Sequence, residues 1–254
     1  MGKQARTASR ERRAAMVAAA QRRRTYRIVT GVGGLVIVGL VIAIVVTIVS
    51  VAGKEKPNLT GASSNAVVAP ANATATGAIV IGTGDAPVRL EIYLDYMCPY
   101  CGRFERANSG EIGRLIADGT VRLELHPLSF LDKSSHGTRY STRAANAVAT
   151  TADKAPDKVL ALTETLYGHQ PVEGSAGLSN DEIATLANSS GVPREVVDRF
   201  QQGEFEAWVA ASTESGFKSG ITGTPTVKVN GVVFTDDLYT VGPLTRAVET
   251  AKGR

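Results

Sequence analysis

The stretch Asp95-Tyr96-Met97-Cys98-Pro99-Tyr100-Cys101 decides the fold of this chain. It follows directly on Val88–Leu94, whose branched and aromatic residues predict a β-strand. Pro99 suits the first turn of a helix, because the N–H that it lacks would have no partner there. The sequence therefore predicts a strand, then a turn that carries Cys98, then a helix that begins just after this residue.

The two cysteines of this stretch are the only ones in the chain. Two thiols cannot form a structural zinc site by themselves, and so close a pair closes too small a loop to stabilise a fold. A cysteine at a helix N-terminus has a lowered pKa, because free N–H groups and the helix dipole favour the thiolate. We therefore predict that Cys98 is the exposed, attacking sulfur and that Cys101, one turn later, is the shielded sulfur that closes the disulfide.

The N-terminal segment, residues 1–27, contains nine Lys or Arg and one Glu, which gives it a net charge of +8. The whole chain carries +4, so the residues after this tail together carry −4. The basic isoelectric point of the chain is therefore due to the tail and does not indicate a nucleic-acid-binding face on the rest of the protein. A basic arm that binds phosphates is the weaker interpretation, and we predict no nucleic-acid partner.

An apolar segment follows the tail: residues 28–52 are 25 positions without a charge. At about 1.5 Å per residue, this segment can cross a hydrocarbon core of about 30 Å. Because most of the positive charge precedes it, the N-terminus is predicted to be cytoplasmic and the rest of the chain extracytoplasmic. Cleavage after the small residues that end the segment is an alternative, but its length favours an uncleaved single-pass anchor in the cell membrane.

The rest of the chain is predicted to be a polar flexible stalk at 53–77 and one domain at 78–254. The later elements predicted in this domain are a strand at 121–125, a block of helices at about 138–216 with a capping box of Ser179 and Glu182, a hairpin at 226–234 that turns at Asn230-Gly231, and a helix at 243–251. Asn108-Ser109-Gly110 is expected to weaken or bend the helix after Cys98. This order predicts an α/β thioredoxin fold with a helical insertion.

Two motifs, the cysteine stretch and Gly223-Thr224-Pro225-Thr226, resemble the DsbA-like branch of the thioredoxin superfamily in its membrane-anchored bacterial form. The resemblance covers about residues 78–254. It implies that Pro225 is a cis proline facing the active-site disulfide, with the Thr224 backbone presented to substrate. The predicted site therefore consists of the catalytic pair Cys98 and Cys101 and the substrate-binding residues Pro99, Tyr100, Thr224 and Pro225.

One position departs from the family pattern. Many relatives carry a buried acid six residues before the first cysteine, where it assists proton transfer from the second, and here that position is Ile92. Glu91 and Asp95 are nearby, but alternation along the strand places Glu91 on the opposite face from Ile92. The sequence leaves open which group takes the Cys101 proton.

The function that this resemblance implies is that of a dithiol oxidase. Its oxidised cysteine pair would accept electrons from reduced cysteines of unfolded exported proteins. A quinone-linked membrane partner of the DsbB-like or vitamin K epoxide reductase-like type would reoxidise it, and no bound cofactor is expected. The three histidines are scattered without ligand spacing, so no metal site is predicted.

Two alternatives remain at this stage. The first is a reductase or disulfide isomerase of the same fold, for example one that serves cytochrome c maturation; a proline directly after Cys98 argues against it. The second, of another class, is a membrane-tethered chaperone or metal carrier without enzymatic activity. That alternative predicts that Cys98→Ser leaves function intact.

Overall fold

The sheet at the centre of the domain has five strands. A computed structural model of the chain describes residues 67–253. The strands are β1 (Ile79–Ile81), β2 (Val88–Leu94), β3 (Val121–Pro127), β4 (Thr226–Val229) and β5 (Val232–Val233). Their order across the sheet is β1-β3-β2-β4-β5. Only β2 and β3 run parallel, so the helix at Pro99–Ala117 that connects them is a crossover between neighbouring strands.

Seven α-helices surround this sheet in the described part of the chain. They are α1 (Pro99–Ala117), α2 (Tyr140–Lys154), α3 (Val159–Gly168), α4 (Asn180–Ser189), α5 (Arg194–Val197), α6 (Glu206–Lys218) and α7 (Pro243–Lys252). Helices α2 to α6 lie between β3 and β4 in sequence and correspond to the predicted helical block. Short 3-10 turns at Asp132–Ser134, Pro156–Lys158 and Phe200–Gln202 connect them.

The alternation of side chains along β2 divides the core into two faces. Ile92 and Leu94 face α1, where they line a cavity together with Ile112. Tyr93 points the other way and packs with Leu128 and Ile221, close to α6. Buried apolar residues fill both faces, as expected for a strand covered on each side by helices.

Two local signals identified in the sequence are present as predicted. Ser179 accepts a hydrogen bond from the Glu182 backbone N–H, while the Glu182 side chain accepts one from the Ser179 N–H, which completes the capping box at the start of α4. Asn230 and Gly231 both have positive φ, at 49° and 84°, in the two-residue turn between β4 and β5. Such a turn suits the twist of a hairpin, which explains the Asn-Gly sequence there.

Two expectations about the chain require correction, and one strand was missed. Strand β1 was not predicted, since three residues are too few to show alternation. Residues 70–77, assigned to the stalk, belong to the fold: Ala71 N–H donates to Asp153, and Ala73 bridges to β1. Helix α1 runs unbroken through Asn108, whose buried side chain donates to Phe104 O and Leu238 O and thereby joins the helix to the loop before α7.

The predicted tail at 1–27, the predicted anchor at 28–52 and most of the predicted stalk lie outside the described residues. Among residues 67–253, no helix is long and apolar enough to span a membrane.

Candidate active site

Cys98 is the N-cap residue of α1. Its backbone is extended, with φ −71° and ψ 117°, and Pro99 occupies the first helical position. The Cys98 N–H donates to Asp95 O at 3.0 Å, and Cys98 O accepts from the Cys101 N–H at 3.0 Å, which opens the helix. The proline therefore starts the helix directly behind the sulfur, as the sequence predicts.

Both cysteines are free thiols and both are buried. Cys98, predicted to be exposed, keeps only 6% of its surface open to solvent because the turn and the loop at Thr224 cover it, whereas Cys101 has none. The pKa of Cys98 is lowered to about 6, first by the hydrogen bond that the Cys101 thiol donates to it, then by the Thr224 side chain and the N–H groups of Cys101 and Tyr100. Cys101 is fully buried, and burial followed by its hydrogen bond to Cys98 raises its pKa well above the ordinary value. At neutral pH the reduced site thus holds a thiolate at Cys98 and a thiol at Cys101.

The loop before β4 faces the Cys98 sulfur. The Thr224–Pro225 peptide bond is cis, the geometry that the resemblance implies. The Cys98 Sγ lies 3.3 Å from Thr224 O, a residue 126 positions later in the chain. Two groups of Thr224 act in opposite senses: the carbonyl oxygen accepts a hydrogen bond from the neutral thiol, whereas the side chain lowers the Cys98 pKa and favours the thiolate.

Asp95, a residue the sequence left without a role, is a buried hydrogen-bond centre. Its Oδ1 accepts from Met97 N at 2.8 Å and from the Ser141 hydroxyl at 2.7 Å, and its Oδ2 accepts from Leu131 N at 2.9 Å. Burial raises the pKa of this carboxyl to about 6, although these donors oppose the shift and the Cys98 charge adds to it. Asp95 thus joins the active-site turn to the loop after β3 and to α2.

The insertion reaches the active-site turn through two residues that sequence reasoning missed. The Tyr167 hydroxyl donates to Asp95 O at 3.1 Å, and its ring stacks on Tyr96 with centroids 5.1 Å apart. Gln170 Nε2 donates to Tyr96 O at 3.1 Å and to Cys98 O at 2.8 Å. These contacts span more than 70 positions of sequence, and no local pattern around Tyr167 or Gln170 signals them.

The outer surface beside the sulfur is aromatic. Tyr100 is 54% exposed, and its ring centroid lies 6.1 Å from that of Tyr239. The Arg103 guanidinium lies 4.5 Å from the Tyr239 ring centroid and 5.8 Å from that of Tyr100. Pro99 is exposed, and Thr224 and Pro225 are half-buried. The structure brings all the predicted site residues together, and their contacts with substrate stay predictions.

The position of the missing acid, Ile92, faces a cavity of about 220 Å³ between α1 and α3. Glu105, one turn after Cys101, and Glu164 on α3 also line it. Burial, and then repulsion from Glu164, raises the pKa of Glu105 to about 7. Asp95 and Glu105 are therefore the two carboxyls near the cysteines whose pKa values are shifted toward neutrality.

Comparison with known proteins decides the family. A family model described as thioredoxin matches residues 74–249. The chain belongs to the thioredoxin family. Within this family, the MdbA thiol-disulfide oxidoreductase from Actinomyces oris superimposes with a TM-score of 0.64 and 26% identity, over 75% of this chain and 93% of that one. BdbD from Bacillus subtilis superimposes with a TM-score of 0.60 at 24% identity, over 74% and 99%, and shows the fold alone.

Sequence relatives fall into two groups. The serine/threonine-protein kinase PknE of Mycobacterium tuberculosis is 32% identical over 159 residues, which are 59% of this chain and 28% of the kinase. The chain therefore spans little more than a quarter of the length of these kinases, and the match concerns one region of them. Disulfide bond formation protein D of Bacillus subtilis is 28% identical over 160 residues, or 62% of this chain and 69% of that protein.

These matches confirm two predictions. The domain is an α/β thioredoxin fold with a helical insertion, and its structural neighbour MdbA is a thiol-disulfide oxidoreductase. The cysteine pair at the start of α1, with the cis proline beside it, supplies the chemistry of such an enzyme.

Proposed function

We propose that this thioredoxin-family protein is an extracytoplasmic dithiol oxidase that introduces disulfide bonds into exported proteins. The observation that carries the proposal is the difference between the two sulfurs. The pKa of Cys98 is lowered to about 6, while that of Cys101 is raised. A protein that stabilises the thiolate stabilises its own reduced form, and its disulfide is therefore a strong oxidant.

The reaction begins with the disulfide between Cys98 and Cys101. A client thiolate attacks the Cys98 sulfur, because Cys98 retains 6% exposure beside the Thr224–Pro225 loop whereas Cys101 has no exposed surface. The bond between the cysteines breaks, and Cys101 leaves and takes up a proton, since its pKa is raised. A second client thiolate then attacks the client sulfur of the mixed disulfide and releases the Cys98 thiolate. Two electrons have passed from the client to the enzyme.

The proposed clients are unfolded exported proteins with reduced cysteines. The exposed Tyr100 ring beside Tyr239 and the exposed edge at Pro99 offer a shallow apolar surface next to the sulfur, which suits an extended chain of variable sequence. The Thr224 backbone would pair with such a chain. Disulfide bond formation protein D, a relative by sequence, is named for this process.

The proposed location is the outer side of the cell membrane. The charge-free segment at 28–52, preceded by the basic tail, supports an anchor with a cytoplasmic N-terminus. A quinone-linked membrane partner of the DsbB-like or vitamin K epoxide reductase-like type is the proposed reoxidant, because each turnover leaves two electrons on the cysteine pair. A membrane-impermeant maleimide applied to intact cells should label Cys98 after reduction, and labelling only after lysis would contradict this location.

The reduction potential of the cysteine pair tests the direction of the reaction. The full chain, purified in detergent, is equilibrated with glutathione buffers, and the two thiols are counted by mass after alkylation. We expect a value well above the roughly −270 mV of thioredoxin. A value at or below that of thioredoxin would leave a reductase on the same fold, as the first alternative holds. Cys98→Ser, which cannot form the pair, supplies the baseline.

A further inference from the structure

Gln170 lies two residues beyond the end of α3, in the loop that leads away from the active site. Its backbone N–H donates to Tyr167 O, so the residue is held at the end of its helix. From there its side-chain amide crosses to the active-site turn and donates to Cys98 O at 2.8 Å and to Tyr96 O at 3.1 Å. Both amide hydrogens are used, and both bind carbonyl oxygens of the residues around the reactive sulfur.

The first turn of α1 leaves room for the Gln170 side chain. Position 102 is a buried glycine inside the first turn of α1, and a Cβ there would overlap the side-chain oxygen of Gln170. Glycine within a helix costs stability relative to alanine. The glycine at 102 is therefore explained by the space that Gln170 occupies over the first turn.

We infer that Gln170 is a positioning residue that adjusts the acidity of the Cys98 thiol from the helical insertion. The inference rests on the proposed function and names a residue that regulates the same site. Two physical effects support it. The Cys98 and Tyr96 carbonyl oxygens of the active-site turn carry partial negative charge, and the amide hydrogens of Gln170 offset that charge. The same bonds fix the extended N-cap conformation of Cys98, in which the N–H groups of Tyr100 and Cys101 favour the thiolate.

Three substitutions at position 170 separate these effects. Gln170→Met keeps the length of the side chain and removes both donors. Gln170→Glu replaces the donors by a carboxylate beside two carbonyl oxygens. Gln170→Lys keeps donors and adds a positive charge. As matched controls, Gln201→Glu and Gln201→Lys make the same charge changes at an exposed glutamine of the Phe200–Gln202 turn.

The thiolate absorbance of Cys98 near 240 nm is titrated in each reduced full-length protein. We expect Gln170→Met to raise the Cys98 pKa by about half a unit to one unit, since a hydrogen bond contributes roughly what one pKa unit represents. Gln170→Glu should raise it further and Gln170→Lys should lower it. In glutathione equilibria at a pH well above both Cys98 pKa values, the reduced form should become about three- to tenfold less favoured in Gln170→Met. The Gln201 controls should stay close to the parent protein.

A purely structural role for Gln170 gives a different result. Gln170→Met would then unfold more easily while its Cys98 pKa stayed that of the parent, and this outcome would overturn the inference. Equal shifts in Gln170→Glu and Gln201→Glu would overturn it as well, because they would show a general charge effect. Gly102→Ala is an independent check if Gln170→Met does not fold: alanine favours the helix, yet it should displace Gln170 and raise the Cys98 pKa.

The role of Gln170 and the oxidase activity can be disproved independently of each other. A parent protein with a potential at or below that of thioredoxin contradicts the oxidase, whatever the variants do. The inference concerns only the differences among variants and can be judged at any parent potential.

Discussion

Cys98 and Cys101 lie one turn apart on the same helix, yet their sulfur atoms are placed for opposite tasks. Cys98 caps the helix and faces the loop at Thr224, and its pKa is lowered to about 6. Cys101 is enclosed by the core, and its pKa is raised. The difference shows that the motif alone does not assign the two roles. The helix start, the burial behind it and the loop across from it assign them together.

Removing either sulfur gives the largest expected effects and tests the assignment of roles directly. Cys98→Ser should reduce oxidation of a dithiol peptide to the uncatalysed rate, because the attacked sulfur is gone. Cys101→Ser should retain a reactive Cys98 and, once activated as a mixed disulfide with a small thiol, trap a client peptide covalently. Mass spectrometry measures the oxidation of the peptide in the first case and the covalent adduct in the second. Trapping through Cys101 in the Cys98→Ser protein would reverse the assignment.

The pH dependence of stability sharpens the comparison between the two thiols. A folded-state pKa of about 6 against the ordinary 9.0 means that Cys98 stabilises the reduced fold fully above pH 9. This contribution is lost as pH falls from 9 through 6. We expect the melting temperature of the reduced protein, relative to the oxidised one, to rise from pH 6 to pH 9. Groups unaffected by the disulfide cancel in this difference, and a flat difference would contradict the lowered pKa.

Substitution of Asp95 should have a smaller effect, on the pKa of Cys98. Asp95→Asn removes a buried negative charge that opposes the thiolate, so the Cys98 pKa should fall slightly. The same change disturbs three hydrogen bonds and should cost about 1–3 kcal/mol of unfolding free energy, measured in urea. Ser141→Ala, the matched control, removes one of these bonds without a charge change. It should cost less stability and leave the Cys98 pKa unchanged; a rise of that pKa in Asp95→Asn would contradict the electrostatic account.

The smallest expected effect lies behind Cys101, in the cavity beside α1. The pKa of Glu105 is raised to about 7 from 4.5, so the fold loses stability as pH rises from 4.5 through 7. Glu105→Gln should remove this loss and raise the melting temperature at pH 8 by about 2–4 °C, which roughly 1 kcal/mol produces in a protein of this size. Glu164→Gln should give part of the gain. A gain of equal size at pH 5 would contradict the titration of Glu105.

Local sequence signals account for much of the fold and for the reactive pair. The strands around the sheet centre, the Asn230-Gly231 turn and the capping box at Ser179 each depend on neighbours in sequence, and all are present. The Cys98-Pro99 junction likewise predicts its own helix start. These features are readable because their stabilising contacts form within a few residues.

Contacts between distant parts of the chain could not be predicted from local sequence patterns. Asn108 was expected to weaken α1, but a carbonyl 130 positions later binds its side chain. Gln170 and Tyr167 belong to the site only because the insertion folds back on the active-site turn. Strand β1 is too short to show alternation of apolar and polar residues, and it forms because it pairs with β3. In each case tertiary structure overrides a weak local preference.

The order of strands in the sheet means that the site is completed late in the synthesis of the chain. Strand β2, which leads into Cys98, lies between β3 and β4, and β4 is made only after the whole helical block. A chain that has been synthesised only to the end of that block contains both cysteines but lacks the loop that faces them. Cys98 then lacks the Thr224 side chain, which helps to lower its pKa in the complete fold. The cysteine pair thus acquires its full reactivity only when the loop before the last hairpin is in place.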